Sequence, residues 1–241
     1  MDKFPASVWR RFLAVVDDHL SVPAELLVIG GAAISLEYCS DYLTRDLDTI
    51  STVPPELWDA IHHAQRQIQT EYGFAKRPPV EQTGVFDGPE SFEERCRPAS
   101  LSGLRHLRVL VADIHDIALM KMARGQSRDM EALADVHRHS PLDLPTLCVR
   151  YGETESIGPR ERFRTSFLVL VERLYGAGVA DALEPRIVEL DAIVGRGTPG
   201  EWHRAAFAAL PPKATPTLKE RECGQMKEEM EYDPTFRTSP T

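Results

Sequence analysis

The sequence predicts an α+β fold in which a small sheet is flanked by helices and is followed by a helical appendage. Apolar runs at residues 26–29 and 107–111 have the length of buried strands, and stretches with helical spacing lie between them. Beyond Pro141 the apolar residues recur at helical spacing. We therefore expect a first domain over residues 1–140 and a helical appendage over residues 141–210.

The chain opens with an amphipathic stretch at residues 7–20, which predicts a helix that packs on the sheet. Its apolar face carries Val8, Phe12, Val15 and Val16. The first strand follows at residues 26–29 and ends at the pair Gly30 and Gly31. Glycines at such a corner let the backbone turn tightly and lie close to a ligand.

A second helix is expected directly after the glycine pair, beginning at Ala32 and Ala33. Its first turn would present free amide N–H groups towards the glycine corner. Such groups favour a bound phosphate, because they point at it and the helix dipole attracts negative charge. The corner is therefore a candidate phosphate-binding site.

Two aspartates stand one residue apart in the next predicted strand. Residues 44–51 alternate as a strand does, which places Asp46 and Asp48 on one face with Leu47 and Ile50 beneath it. Parallel carboxylates are ligands that Mg²⁺ or Mn²⁺ prefers. An isolated Asp-x-Asp pair is often only a solvated strand face, but the strand, glycine pair and helix before it favour a metal site.

The rest of the first domain is predicted to be helical apart from one strand and one irregular region. Pro54 and Pro55 are suited to begin a helix, and Gly73 is suited to end it. The segment 76–105 reads as irregular, with a strand near residues 85–86. The apolar run at 107–111 then leads into helical segments.

The end of the chain is predicted to be helical and then disordered. Apolar faces over residues 163–174 and 183–193 indicate two helices, and residues 202–210 indicate a short third one. The tail at 211–241 is polar and contains several prolines. We expect this tail to be disordered or to become ordered on a partner protein.

Two blocks of the sequence resemble the polymerase-β-type nucleotidyltransferase superfamily. The first block is Val28-Ile29-Gly30-Gly31-Ala32-Ala33 followed by Thr44-Arg45-Asp46-Leu47-Asp48. The second block is the strand at 107–111 and the helices after it, which carry Lys121, Arg128 and Asp129. The pattern is most similar to the small nucleotidyltransferase-like proteins of bacterial abortive-infection and toxin–antitoxin systems. The resemblance covers residues 20–140 and implies a small mixed nucleotidyltransferase sheet.

The resemblance also implies an activity and roles for particular residues. It implies transfer of a nucleoside monophosphate from an NTP to RNA or protein, with Mg²⁺ or Mn²⁺ as cofactor, in toxin–antitoxin or phage-defence biology. Asp46, Asp48 and Lys121 would be catalytic, with both aspartates binding the metal. The nucleotide contacts would come from Gly30, Gly31, Ser35 and Thr44.

The resemblance also implies a third metal-binding carboxylate on a neighbouring strand, and two aspartates are candidates for it. Asp87 stands in a turn-rich segment, and Asp113 precedes the helix after the strand at 107–111. An aspartate directly before a helix, as Asp113 is, more often serves as the helix N-cap than as a metal ligand. We therefore favour Asp87 as the third ligand.

Two departures from the superfamily pattern leave other functions open. Ala32 stands where many members carry a phosphate-contacting serine, and Tyr42 stands where relatives often carry a basic residue. A catalytically degenerate fold that serves as a protein-binding or antitoxin-like module is the main alternative. A glycosyltransferase that uses Asp-x-Asp to hold a metal and a nucleotide sugar is a third possibility, against which the early glycine pair argues.

Composition excludes some classes of protein. The formal net charge of −9 over 241 residues argues against a surface that coats nucleic acid. Arginine clusters at residues 95–108 and 160–164 could guide an RNA acceptor, although such clusters more often form ion pairs. No signal peptide or membrane-spanning run is visible, so we expect a cytoplasmic protein.

Cysteine and histidine patterns do not predict a zinc site. The four cysteines are widely scattered and form no Cys-x-x-Cys motif. The pairs His62-His63 and His137-x-His139 lack convincing additional ligands. Reduced, mostly structural thiols are therefore expected.

Overall fold

A computed structural model of the protein describes residues 2–50, 52–83, 87–155 and 158–194. These residues form eight α-helices, a five-stranded mixed sheet and a two-stranded sheet. The α+β fold class is thereby confirmed. The predicted strand at 85–86, the helix at 202–210 and the tail at 211–241 lie outside the described residues.

The helices and strands are numbered along the chain. The helices are α1 Ala6–His19, α2 Gly30–Ala33, α3 Pro55–Tyr72, α4 Ile114–Arg124, α5 Ser127–His139, α6 Leu144–Glu153, α7 Arg160–Tyr175 and α8 Ala177–Val194. A π-helical turn at Ile34–Tyr38 continues α2, and a 3₁₀ turn covers Phe92–Arg95. The strands are β1 Ala24–Ile29, β2 Leu47–Thr49, β3 Val80–Gln82, β4 Gly88–Pro89, β5 Arg97–Pro98, β6 Leu107–Val111 and β7 Thr154–Glu155.

The five-stranded sheet has the order β3-β2-β1-β6-β5. Strand β1 is antiparallel to β2 and parallel to β6, and β2 is parallel to β3. The register pairs Ile29 at the end of β1 with Asp48 in β2. As a result, the carboxyl end of β1 and the amino ends of β2 and β3 lie at one edge of the sheet.

The hydrophobic core lies between the central strands and the helices. Trp9, Phe12 and Leu13 of α1 are fully buried, and α1 packs against α3. The buried run of β1 contributes Leu26 and Val28 to the same core. Burial of each such side chain stabilises the fold by roughly 1.5–3 kcal/mol. The well-packed core thus holds the strands that position Gly30 and Asp48.

The ends of two helices follow the local sequence signals. Helix α3 begins after Pro54 and ends at Gly73, whose left-handed φ of 67° suits a helix C-cap. Asp113 caps α4, because its side chain accepts the backbone N–H of His115 at 2.9 Å. The interpretation of Asp113 as an N-cap residue is confirmed.

Arginines of the two predicted basic clusters form ion pairs inside the fold. Arg95 contacts the fully buried carboxylate of Asp116, with Nε 2.9 Å from Oδ2. Arg160 and Arg164 both contact Asp191, at 2.8 and 3.0 Å. These three arginines therefore hold helices together. None of the described helices has the length and apolar character needed to cross a membrane.

Candidate active site

The glycine pair after β1 makes room for the acidic segment. Gly30 has a φ of 64°, and a Cβ atom at this position would lie 2.5 Å from Oδ2 of Asp48. A Cβ atom at Gly31 would lie 2.3 Å from Oγ1 of Thr44. Both distances are far below van der Waals contact. Only glycine at these two positions therefore lets the backbone lie against the side chains of Asp48 and Thr44.

The acidic segment is held in place from both sides. Asp46 immediately precedes β2, and Asp48 lies within it. Oγ1 of Thr44 lies 3.2 Å from the backbone oxygen of Asp46 and 3.3 Å from its Oδ1, within range to donate a hydrogen bond. The backbone of Thr44 also bridges to Phe4, which is buried in the core. Thr44 thus fixes the position of Asp46.

A third carboxylate comes from β3. The parallel register of β2 and β3 pairs Asp48 with Glu81, so their side chains point from the same face of the sheet. One oxygen of each of Asp46, Asp48 and Glu81 lies within 4.8 Å of the others. We call these three residues the acidic trio. Within the described ranges, it is the group of carboxylates close enough together to share a metal ion.

The carboxylates of the acidic trio repel one another, and a bound cation would relieve this repulsion. Burial, together with the neighbouring carboxylates Asp46 and Glu81, raises the pKa of Asp48 to about 6. Arg124 and Lys121 oppose this rise. Three carboxylate oxygens at this spacing suit a hard divalent cation. The donor set of the trio could therefore hold such an ion.

A basic wall on α4 and α5 lies near the acidic trio, because the charges of Arg124 and Lys121 act on the pKa of Asp48. It consists of Lys121, Arg124 and the carboxylate that binds both of them, Asp129. Nζ of Lys121 lies 3.2 Å from Oδ1 of Asp129, and Nη2 of Arg124 lies 2.7 Å from the same oxygen. We refer to these three residues as the basic wall. Positive charge is thus present near Asp48 of the trio.

The trio and the basic wall line one cavity of about 1000 Å³. Most of the predicted site residues line it too: Gly30, Gly31, Thr44, Asp46, Asp48, Asp87 and Lys121. Asp87 lies outside the acidic trio, although it borders the same space. Ser35 does not line the cavity, and it is 1% exposed.

A family model described as nucleotidyltransferase of unknown function (DUF6036) matches residues 11–172. This span is more than half of the chain, and it includes the glycine pair, the acidic trio and the basic wall. The chain belongs to this nucleotidyltransferase family. Membership implies an NTP as substrate. Neither a curated protein nor a solved structure matches the sequence.

For this nucleotidyltransferase, the resemblance to the polymerase-β-type superfamily and its abortive-infection branch stays a prediction. The family match confirms the coarser expectation of a nucleotidyltransferase. Sequence reasoning did not single out Glu81, which lies in a segment predicted to be irregular. The one signal for it is an acidic residue in the short sequence Val80-Glu81-Gln82, directly after Pro78 and Pro79.

Proposed function

We propose that this nucleotidyltransferase moves a nucleoside monophosphate from an NTP to a hydroxyl group on an RNA or protein acceptor, using Mg²⁺ or Mn²⁺. The observation that carries the proposal is that the acidic trio, the basic wall and the glycine corner all line one cavity. Carboxylates and cationic side chains in one cavity suit a metal ion at the carboxylates and a polyphosphate at the cations.

The metal would be held by Asp46, Asp48 and Glu81. When bound, such an ion neutralises phosphate charge and helps to align the attacking and leaving oxygens. Thr44 orients Asp46 by its hydrogen bond, and Gly30 allows Asp48 to lie against the turn. In this proposal Glu81 takes the place that the sequence suggested for Asp87, because Glu81 belongs to the trio and Asp87 does not.

The phosphates would lie between the glycine corner and the basic wall. Lys121 lines the cavity, and in this proposal it contacts the phosphates as a point charge and balances negative charge that develops during transfer. The acceptor oxygen bonds to the α-phosphorus while the bond from that phosphorus to the bridging oxygen breaks. Pyrophosphate leaves, and an ionised carboxylate of the trio can accept the hydroxyl proton.

The nature of the acceptor and the biological setting belong to the same proposal. A cavity of about 1000 Å³ is at the upper end of typical ligand sites, so it has room for a triphosphate and part of an acceptor. Arg45 and the exposed Arg128 also line it and could bind phosphate groups of RNA. The toxin–antitoxin or phage-defence setting, a cytoplasmic location and a partner bound by the tail are inferred from the sequence alone.

One observation favours a second candidate, a catalytically degenerate fold that binds a partner protein. Ala32 follows the glycine pair, and the hydroxyl of Ser35 has no hydrogen-bond partner among the residues described. Ser35 is buried and does not line the cavity, so it does not replace the missing serine there. A protein of this kind would lack transfer activity even with every NTP and acceptor present.

A label-transfer assay tests the proposed function. Purified protein is incubated with each labelled NTP, Mg²⁺ or Mn²⁺, and total bacterial RNA and protein. We expect wild-type protein to label one acceptor class and the double variant Asp46→Ala with Asp48→Ala to label none. The control is Asp18→Ala, which removes an exposed carboxylate that pairs with Arg105 away from the cavity.

The possible outcomes of this assay separate the two candidates. Label transfer that is lost in the double variant and retained in the control establishes nucleotidyl transfer at this site and identifies the acceptor class. Transfer that survives the loss of both aspartates contradicts the proposed site. Folded wild-type protein that transfers nothing supports the partner-binding module.

A further inference from the structure

We infer that Asp129 is a positioning residue that holds Lys121 and Arg124 at the cavity, so that Lys121 can bind the polyphosphate of the substrate. This inference rests on the proposed function and deepens it, because it names the residue that sets the phosphate-binding side of the site. It concerns the basic wall alone and does not depend on which base or acceptor the enzyme selects.

Asp129 uses both carboxylate oxygens to bind two cations. Its Oδ1 accepts hydrogen bonds from Lys121 Nζ at 3.2 Å and from Arg124 Nη2 at 2.7 Å. Its Oδ2 accepts a hydrogen bond from Arg124 Nε at 3.0 Å. This bidentate contact fixes both the orientation of the Arg124 guanidinium and its distance from Asp129. One carboxylate thus determines where both positive groups lie.

Lys121 has hydrogen-bonding capacity that the protein leaves unused. The residue is 6% exposed, yet it lines the cavity. An ammonium group has three N–H donors, and in the part of the chain that is described Lys121 donates to Asp129 alone. A buried charge with unused donors is costly unless an acceptor is supplied. The oxygens of a polyphosphate are acceptors of this kind.

The turn between α4 and α5 fixes Asp129 relative to the lysine. Gly125 ends α4 with a φ of 65°, and a Cβ atom there would lie 3.0 Å from Oγ of Ser166 in α7. The turn therefore packs closely against α7. The backbone N–H of Asp129 donates to the backbone oxygen of Gln126 at 2.9 Å, and the residue is 3% exposed. Asp129 is thus held before any ligand binds.

Two effects of removing the Asp129 charge have opposite signs. Coulomb attraction alone would favour an anion more strongly once a negative charge is lost. However, Lys121 and Arg124 would lose the carboxylate that orients them, and a buried ammonium without its partner is strongly unfavourable. We expect the loss of placement to prevail, so the variant should bind a polyphosphate more weakly.

Calorimetric titration with tripolyphosphate in the presence of Mg²⁺ tests this expectation without a choice of nucleobase. For Asp129→Asn we expect affinity to fall roughly tenfold or more, as is typical when the partner that orients a ligand-binding group is lost. Lys121→Met should also weaken binding. If Asp129 acts through Lys121, the double variant should lose much less affinity than the product of the two single losses.

Asp191→Asn is a matched control, since Asp191 also forms ion pairs with two cationic side chains but does not line the cavity. It should disturb stability without weakening tripolyphosphate binding. Asp129→Glu, which keeps the charge, should bind tripolyphosphate more tightly than Asp129→Asn. If the asparagine variant does not fold, Lys121→Met takes its place, and unchanged binding by that variant overturns the inference. Unchanged or tighter binding by Asp129→Asn, or full additivity with Lys121→Met, overturns the inference.

Wild-type protein that fails to bind tripolyphosphate also overturns it. That failure is distinguishable from failure of the proposed function, because the label-transfer assay reads nucleotidyl transfer directly. Transfer without measurable tripolyphosphate binding would leave the enzyme assignment standing and would remove the role given to the basic wall.

Discussion

Asp48 and Asp116 are both carboxylates removed from solvent, and their surroundings differ in kind. Asp116 is fully buried between two arginines, with Arg95 at 2.9 Å and Arg150 Nε at 3.2 Å. Asp48 faces the carboxylates of Asp46 and Glu81 and receives no hydrogen bond from the residues described. One carboxylate is compensated inside the protein, whereas the other is left to be compensated from outside.

This difference separates a structural ion pair from a binding site. A buried charge whose partners are supplied by the fold holds elements together, and here Asp116 joins α4 to the 3₁₀ turn and to α6. A carboxylate beside two others raises the free energy of the folded state by charge repulsion. Such groups are typical of functional sites, where a bound cation relieves the repulsion. The acidic trio fits the second description.

The largest expected effect is on the structural side of the comparison. Replacement Asp116→Ala should lower the free energy of unfolding by about 3–5 kcal/mol, because Arg95 and Arg150 would then be buried without their carboxylate. Urea denaturation measures the change. Asp18→Ala, which breaks an exposed pair, should cost less than about 1 kcal/mol. Equal losses in the two variants would show that Asp116 is not a structural charge.

A smaller effect of opposite sign is expected at the acidic trio. Because the pKa of Asp48 is raised to about 6 in the fold, the folded state binds more protons than the unfolded state between about pH 4 and 6. Stability is therefore lost as pH rises through that window. Asp48→Asn should raise the free energy of unfolding at pH 8 by about 1–2 kcal/mol, after allowance for partial exposure.

Urea denaturation at pH 4 and at pH 8 checks this second prediction. The gain in Asp48→Asn should be present at pH 8 and largely absent at pH 4, where wild-type Asp48 is itself protonated. The same variant should have lost label transfer. A variant that is less stable than wild type at pH 8 would mean that Asp48 is a structural residue like Asp116.

Local patterns were enough to predict much of the fold and one half of the site. Caps and apolar periodicity predicted α1, α3, α4 and β6, because these signals act within a few residues. The alternating pattern also singled out Asp46 and Asp48, and the register of β1 and β2 then places Asp48 beside Gly30. Lys121 was singled out by resemblance, and the structure places it at the cavity.

The remaining parts of the site depend on long-range packing and on an irregular helix. Glu81 joins the trio because β3 pairs with β2, and a three-residue strand after two prolines has no pattern of its own. Ser35 was expected at the cavity because it lies one turn after the glycine pair. The backbone is π-helical over Ile34–Tyr38, so α-helical spacing does not give its direction.

Metal binding to the acidic trio is the most direct test of the account. Calorimetric titration with Mn²⁺ should give binding by wild-type protein and by Asp87→Asn, whereas Glu81→Gln should bind about 10–100 times more weakly. The two variants remove one charge each from the same cavity, so they separate the trio from its surroundings. Equal binding by wild type and Glu81→Gln, with loss in Asp87→Asn, would contradict the proposed metal centre.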